Sequence, residues 1–329
     1  KLVSTLSYAA KPDSHKMQIL ISEQLTAQGF NEVLNNSLTK GGYYSTLKNY
    51  PETQSVKIIN PLSSDLNVMR QTLLFGGLEN IARNINYRNA DLKFYEFGNC
   101  YHFNADNKSP ENPLDAYTEE YHLGMWITGN KFSDSWTSGT EKSSFYELKA
   151  YVQNILTRFG LNLRTLKTEE FADDLFAEAL RISSAKGTLL VTYGIVNPEM
   201  RKRTDVNAEV YYADLVWNNI LSELKDSAVK YSELPKYPEV RRDLAFLLDK
   251  NTTFAEIEKI AYESERKFLK KVSLFDVYEG KNLEAGKKSY AVCFILQDES
   301  KTMTDNVIDG IMRKIQQNIE TKLNAKLRS

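Results

Sequence analysis

The 329-residue sequence predicts an α+β protein of two domains, on three observations. Strand-like alternation is scattered among long amphipathic helical stretches, with no wound βαβ repeat. The stretch YSELPKYP at residues 231–238 carries two prolines that cannot continue the helix-forming sequence before it. Beyond that break the pattern runs strand, helix, strand, strand, helix, strand. With 42% apolar and 26% charged residues, the length supports two cores and argues against disorder. The boundary is set between 232 and 233, giving domains 1–232 and 233–329.

In the first domain a helix is predicted from Ser14 to about Gln28, with Asp13 and Ser14 as caps and Met17, Leu20, Ile21 and Leu25 on one face. Gly29 ends it. Residues 104–121 (NADNKSPENPLDAYTEEY) read as a long exposed loop joining two strands, Leu92 to Tyr101 and Tyr121 to Gly129. Before them, a second helix follows Arg70, with Leu74, Leu78, Ile81, Ala82 and Ile85 on its apolar stripe. Gly76 and Gly77 weaken it by roughly 1 kcal/mol each. Ser144 and Glu147 form a capping box for a helix running to Gly160, and Gly187 to Val196 is a further strand.

In the second domain Val240 to Asp249 is a strand with Leu244, Phe246 and Leu248 on one face. Thr253 and Glu256 box the start of a helix carrying Phe254, Ile257, Ala261 and Phe268. Lys271 to Glu279 and Ser289 to Gln297 are strands, Asp305 to about Leu323 is a helix burying Ile308, Met312, Ile315 and Ile319, and Asn324 to Arg328 supplies a last strand. The order βαββαβ is the split, ferredoxin-like arrangement, in which both helices cover one sheet face and leave the other free.

Composition excludes several functions. Lys plus Arg number 42 against 43 acids, so there is no general basic coat for nucleic acid, although a local basic face is allowed. Cys100 and Cys293 cannot form a disulfide framework and fit a reducing, cytoplasmic setting. The longest apolar run, Tyr290 to Leu296, is far short of the ~20 residues that span a bilayer, and no signal peptide is visible. The chain opens on Lys1 rather than Met, as expected of a piece of something longer. His15, His102 and His122 are isolated in sequence, and Cys100 with His102 reads as strand packing rather than a metal site. No P-loop, dinucleotide fingerprint or nucleophile elbow occurs, and Gly41–Gly42 and Gly76–Gly77 are too sparse to cradle phosphate. Glu119–Glu120 and Asp173–Asp174 read as solvated acids rather than an acid/base pair. Trp126, Trp136 and Trp217 read as core or interface.

From Glu233 onward there are 18 Lys plus Arg against 16 acids. Lys270, Lys271, Lys281, Lys287 and Lys288 gather at the ends of the two middle strands, and Arg241 and Arg242 enter the first. Strand parity puts Leu274, Asp276 and Tyr278 on one face and Phe275 with Val277 on the other. Phe275 and Val277 suit the core, so Asp276 and Tyr278 look outward. An exposed ring beside a carboxylate, rimmed by lysines, fits an unstacked nucleotide: the ring stacks, the carboxylate accepts from base N–H groups, and lysines take phosphates. An ordinary polar sheet surface remains the other reading of the same residues.

These residues also carry a resemblance. YPEVRRDLAF (237–246) with LFDVYEGKNLEAGKKS (274–289) and the closing AKLRS resembles the ferredoxin-fold anticodon-binding domain of the bacterial phenylalanyl-tRNA synthetase beta-subunit family. NPLSSDLNVMRQTLLFGGLENIARNINYRNADLKFYEFGNCY (60–101) and GIVNPEMRKRTDVNAEVYYADL (194–215) resemble its catalytic-like, class II synthetase-like module of antiparallel sheet and flanking helices. The resemblance implies that Asp276, Tyr278 and Ser289 contact the anticodon, Tyr278 by stacking, with Arg242, Lys288 and Arg328 as backbone contacts. Arg242 shares the strand face of Leu244 and Phe246, so a structural role is open to it. Gly280 and Gly286 shape the hairpin.

The same resemblance implies that the aminoacylating site belongs to an alpha subunit, in an (αβ)2 enzyme using ATP and magnesium to charge tRNA(Phe). In GNCYHF, His102 stands where a catalytic module carries an arginine for the ATP α-phosphate. Between Thr204 and Val240 there is neither a glycine nor an arginine. The first domain is therefore expected to be a noncatalytic partner of that subunit, with the helices after Ser14 and Arg70 as packing candidates. No cofactor is expected in this chain, and neither the family's editing activity nor its magnesium-associated segment is assigned to it. One alternative is a freestanding RNA-binding protein, which would not associate with an alpha subunit. Another, an independent adenylate-forming enzyme, lacks its arginine pair.

Overall fold

The computed structural model describes residues 13–137, 139–224, 231, 233–280 and 283–328. Lys1 and Lys281 lie outside them. The chain divides into two units, Lys1–Val229 and Lys230–Ser329.

The first unit begins with α1 (Ser14–Ala27), capped by Asp13, which accepts from the N–H groups of His15 and Lys16. Gly29, at φ +87°, ends it. Then come β1 (Asn31–Glu32), the short pair β2 (Leu38–Thr39) and β3 (Val68–Met69), α2 (Leu74–Asn86), β4 (Leu92–Phe103) and β5 (Tyr117–Thr128). α3 (Phe145–Arg158), β6 (Lys167–Phe171), β7 (Phe176–Ser183), β8 (Leu189–Val196), α4 (Pro198–Lys202), β9 (Val210–Val216) and α5 (Trp217–Leu224) complete it. Seven strands form one sheet in the order β1-β4-β5-β9-β8-β7-β6. All neighbours are antiparallel except the edge strand β1, which runs parallel to β4.

Strand alternation divides the core into two layers. Leu123, Met125 and Ile127 of β5 pack with Ile21, Leu25, Val152, Ile155 and Trp217 on one face. On the other face Trp126 packs with Leu74, Leu78, Ile81, Phe176 and Tyr212.

Several expectations for this unit need revision. β5 begins at Tyr117, so the connection after β4 is shorter than the polar composition implies and contains two 3-10 turns. Ser144 accepts from the Glu147 N–H as expected, but the Glu147 carboxylate does not return to the cap. It takes the Lys93 ammonium at 2.8 Å and the Tyr151 hydroxyl at 3.1 Å. Trp126 and Trp217 are buried, whereas Trp136 is almost fully exposed. Asp173 is a local cap, accepting from Leu175 and Phe176 N–H, and Asp174 accepts from Lys48 and Asn49 N–H.

The second unit contains β10 (Val240–Asp249), α6 (Phe254–Ser264), β11 (Leu269–Tyr278), β12 (Lys287–Leu296), α7 (Asp305–Leu323) and β13 (Lys326–Leu327). The sheet order β11-β12-β10-β13, antiparallel throughout, is the ferredoxin-like one. The Thr253–Glu256 capping box is present with both hydrogen bonds, and Asn324 ends α7 in the left-handed region at φ +50°. Phe268 falls beyond α6 but still packs on the core that α6 and α7 build with the sheet.

Candidate nucleic-acid interface

The pairing of β12 assigns the two faces of the second sheet. Tyr290, Val292, Phe294 and Leu296 join the helix-side core, so Ser289, Ala291, Cys293 and Ile295 belong to the helix-free face. Asp276 lies opposite Ala291, and Tyr278 opposite Ser289. Directly paired residues share a face, so Asp276, Tyr278 and Ser289 come together on the helix-free side.

Arg328 joins them from beyond β13. Its N–H donates to the Ala245 carbonyl at 2.8 Å, and its guanidinium carbon stands 5.1 Å from the Tyr278 ring centroid. A β-carbon on Gly280 would overlap the hydroxyl end of the same ring. Gly280 therefore does more than shape the hairpin: it leaves the space in which the Tyr278 ring lies. Gly286, at φ +82°, fits the turn role.

Two expected members stand elsewhere. Arg242 is opposite Phe294, hence on the helix side, and donates to Asp305 at the start of α7 at 3.3 Å. Lys288 is opposite Leu248 and only 7% exposed. Its ammonium donates to the Tyr290 hydroxyl at 2.7 Å and sits 4.4 Å over that ring.

The lysine rim is also largely paired. Lys287 meets Asp249 at 2.7 Å, Lys270 meets Glu299 at 2.5 Å and Lys250 meets Glu279 at 3.4 Å. Exposed pairs of this kind contribute only ~0–1 kcal/mol.

Parity fails at one residue. Pairing slips between Leu274, opposite Val292, and Asp276, opposite Ala291, leaving Phe275 as a bulge. Leu274 therefore packs toward the helices while Asp276 faces away. Phe275 is 54% exposed and Val277 49%, so neither is the core residue that strict alternation predicts. Arg241, already part of the basic cluster in the sequence, and Asp243, which sequence reasoning missed, lie on the helix-free face, opposite Ile295 and Cys293. Cys293 lies under Asp243, and burial with that hydrogen bond raises its thiol pKa.

The first unit's sheet carries polar residues on the face that Trp126 also joins. Glu96 lies opposite Gly124, Gly98 opposite His122, and Gly124 opposite Asp214. Here Arg70 is buried in an ion pair with Glu96 at 2.7 Å and donates to the Asn99 carbonyl at 2.9 Å. A β-carbon at Gly98 would overlap the Arg70 guanidinium, and one at Gly77 or Gly124 would overlap the Trp126 ring. Gly77 is thus a close-approach residue rather than a weak point in α2.

The histidines are not all isolated. His122 Nδ1 stands 2.7 Å from Asp214 and Nε2 3.5 Å from Glu120. Burial opposes its charge, but Asp214 and Glu120 outweigh it and raise its pKa to about 10. Burial lowers the pKa of nearby His102. Among the described residues no group of three or more His, Cys, Asp or Glu converges as a metal site.

Two family models match the chain: the phenylalanyl tRNA synthetase beta chain CLM domain over residues 3–217, and the ferredoxin-fold anticodon binding domain over residues 235–328. Phenylalanine–tRNA ligase beta subunits are similar over nearly the whole chain. That of Bacteroides fragilis is 58% identical over 96% of this chain and 38% of its own length. The Bacteroides thetaiotaomicron protein is 56% identical over 99% and 40%, and the Porphyromonas gingivalis protein 48% over 95% and 38%. The chain thus spans about two fifths of the length of these relatives. Among solved structures, pyrrolysyl-tRNA synthetase from Desulfitobacterium hafniense aligns over 66% of this chain and 74% of its own, at 11% identity and TM-score 0.47. The match across the first unit and the relatives spanning both units identify this chain as a member of the phenylalanyl-tRNA synthetase beta chain family.

Proposed function

We propose that the chain works as the C-terminal part of a phenylalanine–tRNA ligase beta subunit. In this reading the second unit binds the anticodon of tRNA(Phe), and the first packs on a catalytic alpha subunit in an (αβ)2 assembly in the cytoplasm. The observation that carries it is the convergence of Asp276, Tyr278, Ser289 and Arg328 on a sheet face free of helices.

The Tyr278 ring offers a stacking surface, the Asp276 carboxylate accepts from base N–H groups, and the Ser289 hydroxyl lies alongside for the base edge. Arg328 covers the ring in the free chain. An exposed cation–π contact contributes about 0.5–1 kcal/mol, less than the ~1–3 kcal/mol of a stacked base. A base therefore displaces the guanidinium, which turns to a phosphate. Arg242 and Lys288, held on the helix side, act as supports of the sheet in this reading.

ATP and magnesium serve the ligase reaction of the whole enzyme. Beside Gly98 and Gly124 of the first unit, Arg70 and Trp126 fill the space, and no chemical step is assigned to this chain. Packing on an alpha subunit is supported by apolar side chains left exposed, among them Ile19 on α1 and Ile59 and Leu62 before β3. No helix among the described residues is long and apolar enough to cross a membrane.

The deciding measurement is binding of the 329-residue chain to a synthetic tRNA(Phe) anticodon stem-loop. Tyr278→Ala should weaken it by about 1–3 kcal/mol. Unchanged affinity in a variant that unfolds like the parent would sink the stacking role.

A further inference from the structure

The bulge that defeats strand parity also sets a second ring on the proposed RNA face. Phe275 has no partner on β12 and stands 54% exposed. Bulges re-aim side chains in this way. Arg241 enters from β10 on the same face, opposite Ile295. Asp243 grips its guanidinium in two hydrogen bonds, Nε to Oδ1 at 3.0 Å and Nη2 to Oδ2 at 3.1 Å. The guanidinium carbon stands 5.4 Å from the Phe275 ring centroid.

This repeats, three residues earlier on β11, the construction of Tyr278 with Arg328. Asp276 lies between the two rings in sequence, and the neighbouring floor is made by Ala291 and Cys293. We propose that Phe275, flanked by Arg241, is a second stacking platform, which takes another unpaired base of the same RNA loop. The inference rests on the reading of this face as an RNA-binding surface.

Three residues of strand extend roughly 10 Å, too far for one base to cover both rings and within reach of two nucleotides of an unstacked strand. Four-stranded sheets that display aromatic residues bind two or three bases by this means. The Asp243 clamp orients Arg241 beforehand, so a base stacked on the open face of the Phe275 ring meets a guanidinium that gives up little side-chain freedom.

The test uses the 329-residue chain and the synthetic anticodon stem-loop, with affinity read by fluorescence anisotropy and folding by thermal unfolding. Phe275→Ala should weaken binding about 5- to 150-fold, Phe275→Trp should restore it, and Phe275→Leu should not. Abasic replacement at one loop position should remove the effect of Phe275→Ala, and that position should differ from the one coupled to Tyr278. Parental affinity for Phe275→Ala alongside a weakened Tyr278→Ala overturns the second platform and leaves the RNA face standing. Restoration by leucine overturns stacking in favour of plain apolar contact. Parental affinity for both alanine variants overturns the RNA face itself.

Discussion

Raising the pH should loosen the first unit through a single histidine. His122 is buried between Asp214 at 2.7 Å and Glu120 at 3.5 Å, and its pKa is raised from 6.5 to about 10. A folded-state pKa above the unfolded one means that the folded chain holds the proton more tightly. The resulting stability is complete below pH 6.5, declines through the interval above it and is gone above about pH 10. At 1.36 kcal/mol per pH unit, the full interval corresponds to about 5 kcal/mol as an upper bound, reduced by the half-exposed Glu120. The assay is denaturant unfolding at a series of pH values, followed by fluorescence of the buried Trp126 and Trp217. His122→Gln is the comparison, because its amide still donates to Asp214 but cannot titrate. The parent should be the more stable protein near pH 6, and the difference should shrink steadily toward pH 10. Burial, with the charge of His122, lowers the pKa of His102. Parallel pH profiles for parent and variant would refute the account of a charged, carboxylate-held His122.

Gly77→Ala should destabilise the first unit by about 1–3 kcal/mol in thermal or denaturant unfolding, because the added methyl enters the Trp126 ring; helix propensity alone gives the opposite sign at ~1 kcal/mol. The chain without an alpha subunit should support no phenylalanine-dependent ATP–pyrophosphate exchange, and measurable exchange would overturn the noncatalytic reading of the first unit.

What the sequence made legible was local. The capping box at Thr253 and Glu256, the apolar stripe of α7 and the alternation of β10 are each written within one element, and the structure has all three. What it hid depended on partners far along the chain. β1 pairs with β4 across about sixty residues, and His122 meets Asp214 across 92, so neither pattern shows in any short window. The candidate site divides in the same way. Asp276 and Tyr278 share the outward face that parity predicts, and Ser289 enters only through the resemblance, but the parity used for Leu274, Phe275 and Val277 assumes an unbroken ladder. A bulge is a property of two strands, and β11 alone does not announce it. Lys288 misled for a related reason. A lysine in a strand reads as solvent-facing, yet register puts it on the helix side, where the Tyr290 hydroxyl accepts a hydrogen bond from its ammonium.

In the first unit, the space beside Gly98 and Gly124 is filled from within the fold. In a site that cradles phosphate, small residues leave the backbone open to the ligand. Here Gly98 and Gly124 face the interior, and the room they leave is taken by the Arg70 guanidinium and the Trp126 ring. Arg70 itself is committed to Glu96, with both side chains buried. Removing one partner of such a pair leaves an uncompensated buried charge at a cost of about 3–5 kcal/mol. Reopening the face would therefore require losing the tryptophan and the ion pair together, and with them part of the packing that holds α2 to the sheet. The side chains that fill this space also help to hold the unit folded.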